Sequence, residues 1–151
     1  MSINLHIRKA EIRDLDTIVD FNIKMALETE NRVLQKAIIT NGVKKMLENE
    51  HLGFYLIAEV SNQIVGSLMI TTEWSDWRNS LFWWIQSVYV IKEFRRKGVY
   101  SSLYKYIKQL SAQKDVCGYR LYVEKENKAA QKTYEKLGMK ETHYLLYEEE
   151  V

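Results

Sequence analysis

The sequence predicts an α/β domain, a mixed sheet with helices on both faces. Three observations predict it. Segments that alternate apolar and polar residues interleave with segments whose apolar residues recur every three or four positions. One segment, Phe82 to Ile91, is almost wholly apolar, as a central strand covered on both faces would be. A helical segment and a further strand follow it, which calls for a right-handed crossover. The 151 residues form one domain, 1–151, and are too few for two of ordinary size.

The elements follow in order. Ile3, Leu5 and Ile7 alternate with Asn4, His6 and Arg8, a half-buried strand. Asp14 stands where it can cap a helix whose stripe is Leu15, Ile18, Val19, Asn22, Met25 and Ala26. That spacing is helical, although Asn22 is polar. A second helical region runs from about Val33 to Glu48, interrupted at Asn41-Gly42. Phe54 to Val60 and Ile64 to Thr72 flank Ser61-Asn62-Gln63, a hairpin signal. After the central strand, Leu103, Tyr106, Ile107 and Leu110 share one face of a helix from Gly98 to about Gln113. Tyr119 to Glu124 reads as a strand, Asn127 to Leu137 as a helix ended by Gly138, and Lys140 to Tyr147 as a last strand.

Composition excludes several classes. The 22 basic and 20 acidic residues leave a net charge of +2, unlike a nucleic-acid coat protein or an acidic tail. No stretch approaches the roughly 20 apolar residues of a spanning helix, and Met1 to Arg8 shows no leader pattern, so no membrane is expected. The single cysteine, Cys117, allows no internal disulfide and suits a reducing cytoplasm. His6, His51 and His143 have no helical partner at i+4, so no metal is expected. Proline is absent, which excludes PxxP ligands.

Arg95-Arg96-Lys97-Gly98-Val99-Tyr100-Ser101 lies between the central strand and a helix. Glycine permits a tight turn there, and a helix N-terminus offers N–H groups to an anion. From Lys92 to Lys114 there are seven basic residues and one acidic. A diphosphate ligand is one reading; a solvated loop before a lysine-rich helix face is the other. The turn has one glycine, so it is neither a P-loop nor GxGxxG. Nucleic acid is disfavoured, because Tyr100, Tyr104 and Tyr106 fit a packed helix better than a stacking platform.

Val88-Tyr89-Val90, then Arg95-x-x-Gly98-x-Tyr100, then a helix, resembles the acetyl-CoA motif of the GNAT superfamily of N-acetyltransferases, Gln/Arg-x-x-Gly-x-Gly/Ala after the fourth strand. Tyr100 departs from the motif, so its side chain must point away from the pyrophosphate. Asn127 and Tyr134 are a second resemblance: in that superfamily an Asn after strand five and a Tyr seven residues on flank the coenzyme. Seven residues fall within about 20° of two helical turns, so the pair shares a face. Packing and an N-cap would also account for these residues singly; their joint order does not reduce to that. The resemblance covers Ile3 to Tyr147.

The resemblance implies about six or seven mostly antiparallel strands, the fourth and fifth splayed, and about four helices. It implies transfer of acetyl from acetyl-CoA to a primary amine by direct attack. The expected acceptor is a small cationic amine or an amino-acid-like molecule. A peptide or protein amine is the alternative, as is coenzyme A binding without catalysis. A homodimer is compatible with the family.

The resemblance also assigns roles. The Val88 N–H would stabilise the oxyanion, Val88, Tyr89 and Val90 would line the pantetheine, and Arg95, Arg96, Lys97, Gly98, Val99, Tyr100 and Ser101 would hold the diphosphate. Asn127 would bond the pantetheine arm, and the Tyr134 hydroxyl would protonate the leaving thiolate. Gln86 occupies the position where many relatives place a Glu base. Glu28, Glu30, Glu73 or Asp76 would replace it, directly or through water, or the amine would arrive neutral; Glu28 is the first candidate. The first helical pair and the loop Glu73-Trp74-Ser75-Asp76-Trp77-Arg78 would wall the acceptor site. Glu28, Glu30, Glu73 and Asp76, with Trp74 and Trp77, suit a cation by charge and by cation–π contact. The alternative is that the acidic residues are a solvated face and the tryptophans core.

Overall fold

A computed structural model describes residues 3–151. Met1 and Ser2, the first two positions read for a leader, lie outside the described residues. The chain divides into a larger unit ending at Leu121 and a smaller one from Tyr122 to Val151.

The larger unit holds a sheet of five strands in the order β1 (His6–Lys9), β2 (Phe54–Val60), β3 (Gln63–Ser75), β4 (Ser80–Val90) and β5 (Val116–Arg120). The first four are antiparallel neighbours, and β5 runs parallel to β4. The parallel step is made by α3 (Val99–Ser111), as the crossover requires. α1 (Leu15–Glu30) and α2 (Lys36–Glu48) precede β2. The result is the mixed α/β sheet that the pattern predicts.

α1 and α2 close one core layer. Ile18, Val19, Val43 and Met46 pack with Tyr55 and Ile57 of β2. Ile18, Val43 and Ile57 are fully buried, and each such side chain stabilises the fold by about 1.5–3 kcal/mol. Asn22, the polar member of the α1 stripe, is buried and donates its amide to the Ile18 carbonyl at 2.9 Å. A buried donor is thereby satisfied one helical turn away. α1 ends at Asn31, which takes the left-handed conformation (φ 50°) that suits this residue.

Local signals set several boundaries. Ser61 and Asn62 both have positive φ, the two-residue turn that matches the twist of a hairpin. α2 runs unbroken through Asn41-Gly42 and starts at Lys36, later than the apolar pattern from Val33 suggests. Burial of Val43 and Met46 outweighs the weak helix propensity of those two residues. β5 begins at Val116 rather than Tyr119, so Cys117 lies inside it, exposed. Pairing with Leu81–Trp84, not propensity, sets that register.

Asp14 does not cap α1 with its side chain. It is buried, accepts two hydrogen bonds from Arg8 at 2.9 and 3.0 Å, and accepts the Glu11 N–H at 2.7 Å. Arg8 also donates to Glu59 of β2 at 2.9 Å. The network ties β1, the turn before α1 and β2 together.

In the smaller unit, α4 (Lys128–Lys136) starts at Asn127, whose side-chain oxygen accepts the Ala130 N–H at 3.2 Å. It ends at Gly138, φ 100°, where the Met139 N–H bonds the Tyr134 carbonyl and the Gly138 N–H bonds Glu135. The expected last strand, Lys140 to Tyr147, forms no ladder among the described residues. Tyr144, Leu145, Leu146 and Tyr147 are exposed. Alternation gives a strand tendency, but a strand needs a hydrogen-bonded neighbour.

Candidate active site

β4 carries the centre of the site. Ser67 pairs with Tyr89 and Met69 with Gln86, so Ser87 and Val88 together oppose Leu68. That is a β-bulge on β4, and Ser87 takes a left-handed φ of 53° to make it. A bulge releases one backbone group from the ladder at Ser87–Val88. On its other edge, β4 pairs with β5 only from Leu81 to Trp84 among the described residues. From Ile85 to Val90, β5 makes no ladder with β4 among the described residues.

Beyond β4 the chain makes a short turn at Lys92–Phe94 and enters α3. Arg96 (φ 61°) and Gly98 (φ 81°) are both left-handed. A Cβ built on Gly98 meets no atom within 4 Å, so the glycine serves its backbone angle and opens onto free space. The first intrahelical donor of α3 is Ser102, which bonds the Gly98 carbonyl. Amides before it face out of the helix end, and no side chain caps it. Gly66 seats this end on the sheet: a Cβ there would meet Val99 Cγ1 at 3.0 Å and the Tyr89 carbonyl at 3.3 Å. Arg96 and Lys97 are exposed beside the turn. The Tyr100 ring stacks on Tyr104, one turn along α3.

Arg95 is turned the other way. Its Nε donates to the Val90 carbonyl at 2.8 Å, and its two terminal nitrogens donate to both Glu28 oxygens at 2.5 and 2.8 Å. Its guanidinium also lies over the Tyr89 ring, 5.4 Å from the centroid. The hydrogen bond from Arg95 holds the Glu28 carboxyl below the usual carboxylate range. A groove of about 650 Å³ lies beside this pair, lined by Lys24, Leu27 and Glu28 of α1 and by Tyr89, Ile91 and Lys92.

The other half of β4 carries a second cluster. Glu73 of β3 accepts from Trp84 Nε1 at 2.9 Å and from Arg120 at 2.8 Å, both at Oε1. The hydrogen bond from Trp84, with help from Arg120, holds its carboxyl below the usual range. Arg120 lies 3.6 Å above the Phe82 ring. Thr71 donates to Gln86 at 3.3 Å. Trp74 and Trp77, at the hairpin tip, are 56% and 90% exposed, so neither is a core residue. Asp76 accepts the Trp77 N–H at 2.9 Å. Glu30 is exposed at the end of α1.

The structure therefore brings Glu73, Trp84 and Arg120 together, holds Gln86 with Thr71, and ties Glu28 to Arg95. Sequence reading missed Arg120 and the bulge at Ser87. Arg120 leaves no local signal, following Tyr119 in an unremarkable strand; the polar pair Gln86-Ser87 does interrupt the apolar run of β4, but polarity alone does not mark a bulge. In the smaller unit, burial pushes the Tyr134 phenol up, so it stays protonated at neutral pH.

The profile of the acetyltransferase (GNAT) family matches residues 15–139, which takes in parts of both units. The chain belongs to the GNAT acetyltransferase family. Its fold matches the crystal structure of a possible acetyltransferase from Clostridium difficile 630, at 49% identity and a TM-score of 0.91, with 97% of each chain covered. A predicted acetyltransferase from Clostridium acetobutylicum, solved with acetyl-CoA, has the same fold at 19% identity and a TM-score of 0.80, with 96% of each chain covered. So does a probable acetyltransferase at 21% identity and a TM-score of 0.85, with 97% of each covered. No curated protein matches the chain. GNAT members use acetyl-CoA, and the open glycine turn among cationic side chains suits its diphosphate. Among the described residues, no helix is long and apolar enough to cross a membrane.

Proposed function

We propose that this GNAT chain is an N-acetyltransferase that moves an acetyl group from acetyl-CoA to a primary amine by direct attack. The observation that carries the reading is the arrangement along β4: a bulge at Ser87–Val88, an edge that β5 leaves unpaired beyond Trp84, and a left-handed turn at Arg96–Gly98. Acetyl-CoA supplies an activated thioester. That edge at Val88, Tyr89 and Val90 takes the pantetheine as an added strand. The N–H groups around Gly98, Val99, Tyr100 and Ser101, with Arg96 and Lys97, take the diphosphate. The Val88 N–H is the oxyanion donor, worth about 3 kcal/mol if it resembles other such donors. Asn127 and Tyr134 keep the pantetheine and leaving-group roles that the family resemblance implies. In this reading residues 1–151 act as one acetyltransferase domain, in the cytoplasm.

The acceptor site is the Glu73 end of β4. Both protein donors to Glu73 go to Oε1, which leaves Oε2 to receive an ammonium group. Trp74, Asp76 and Trp77, all exposed, follow Glu73 at the hairpin tip, and they suit a cation by cation–π contact and by charge. Arg120, bonded to Glu73 Oε1, suits a carboxylate. Together they favour a small cationic or amino-acid-like amine. Glu28 is not the base, because both its oxygens are engaged by Arg95. Glu30, two residues beyond Glu28 on α1, lies with it at the Arg95 end. Gln86 cannot act as a base, so the amine loses its proton to Glu73, Asp76 or water, or arrives neutral.

The test is coenzyme A release from acetyl-CoA with diamines, amino acids and peptides as acceptors. Turnover with cationic or amino-acid-like amines is expected. Acetyl-CoA binding with no acetylated amine would make the chain a coenzyme A-binding protein, and peptide-only turnover would move the acceptor to a protein.

A further inference from the structure

We infer that Glu28 is a positioning residue for the coenzyme's diphosphate: it draws the Arg95 guanidinium back against β4 and fixes the turn that receives the phosphates. This rests on the reading that the turn at Arg96–Gly98 binds the diphosphate. The bonds of the Arg95 side chain go to β4 and α1, none to the head of α3 among the described residues. Nε is spent on the Val90 carbonyl, the terminal nitrogens on Glu28, and the planar face on Tyr89. The two parallel bonds to Glu28 form a bidentate pair, the geometry that orients a guanidinium most strongly.

The clamp has a second anchor. Phe21 meets the Tyr89 ring at 4.9 Å, and Glu28 lies seven residues further along α1. Seven residues bring a helix back to within about 20° of the same face. One face of α1 therefore grips β4 at Tyr89 and the following turn at Arg95. With Arg95 held, Arg96 and Gly98 keep their left-handed angles at the head of α3, whose end no side chain caps. The phosphates are then bound by the N–H groups of that end and by Arg96 and Lys97, not by Arg95.

The sign of one measurement separates this from the simpler view. A carboxylate beside an anion site would, by charge alone, weaken coenzyme A binding. Neutralising it would then tighten binding. A positioning carboxylate does the opposite. Coenzyme A is titrated calorimetrically into the full-length wild type, Glu28→Gln and Glu28→Asp, with thermal melts to confirm folding. Glu28→Asp keeps the charge and loses the reach. The expected result is that both variants weaken coenzyme A binding by about three- to tenfold, typical of losing one charge-assisted pair. In the double variant Glu28→Gln, Arg95→Gln the loss should be no greater than in Arg95→Gln alone, because the pair acts as a unit. Tighter binding in Glu28→Gln, unchanged affinity in both variants, or strictly additive losses would overturn the proposal. A wild type that binds no coenzyme A would take down the diphosphate reading itself, and the clamp's role with it.

Discussion

Glu28 and Glu73 are bound at opposite ends of β4. Glu28 reaches the strand through Arg95, which bonds the Val90 carbonyl, while Glu73 sits opposite Phe82. Those two β4 positions are eight residues apart, or roughly 25 Å of extended chain. The bulge at Ser87–Val88 lies between them. A coenzyme held at the Val90 end and an acceptor held at the Phe82 end would meet at that bulge, where the strand's pairing is interrupted. In the proposed reading each carboxylate has its own task, the first shaping the phosphate turn and the second receiving an amine.

Gly98→Val tests the turn. At φ 81° a side chain costs roughly 1–2 kcal/mol, so the variant should melt a few degrees lower but remain folded. The valine would project into the space that is now open, where the diphosphate is proposed to lie. Coenzyme A affinity, read by calorimetry, should fall about tenfold or more, about 1.4 kcal/mol or above. A folded variant with wild-type affinity would remove the phosphate assignment.

Tyr134→Phe tests the leaving-group acid. Its ring and packing are kept, so the melting temperature should barely change. Burial raises the phenol above its ordinary value near 10, so the wild type should keep its activity until strongly alkaline pH. Turnover should fall by roughly 10²- to 10⁴-fold with acetyl-CoA affinity retained. Normal turnover would make Tyr134 a packing residue.

Glu73→Gln tests the acceptor end. The amide keeps the shape and loses the charge. KM for cationic acceptors should rise by about three- to tenfold, the modest effect of a partly exposed charged contact, while KM for acetyl-CoA stays put. Equal KM values for every active acceptor would leave the Glu73 cluster a structural one.

The Arg8–Asp14–Glu59 network should make stability acid-sensitive. Burial alone would push the Asp14 carboxyl up; the hydrogen bonds from Arg8 and from the Glu11 N–H, with Arg8 and Arg13 charge, outweigh it and hold it below its ordinary value. A lowered folded pKa means the contribution is complete above roughly pH 4–5 and is lost as pH falls through the lowered value. Asp14→Asn should therefore cost about 2 kcal/mol or more at pH 7 and much less near pH 2. A pH-independent difference in melting temperature would refute the assignment.

The family motifs, the hairpin turn at Ser61-Asn62 and both caps of α4 are legible in the sequence because each is decided within a few residues. Gly98 needs only its own φ, and Asn127 needs only the amide three positions on. The turn at Gly98 before α3 was legible for the same reason. The partners of the charged side chains were not. Asp14 reads as a helix cap and is instead held by Arg8; Glu28 reads as part of an acceptor wall and is held by Arg95, 67 residues away. Arg120 reaches Glu73 only because β5 pairs with β4. The bulge at Ser87 exists only in the register between β3 and β4. Tertiary structure decided these points because an ion pair or a strand register depends on which chain segments meet, and local propensity carries no record of that.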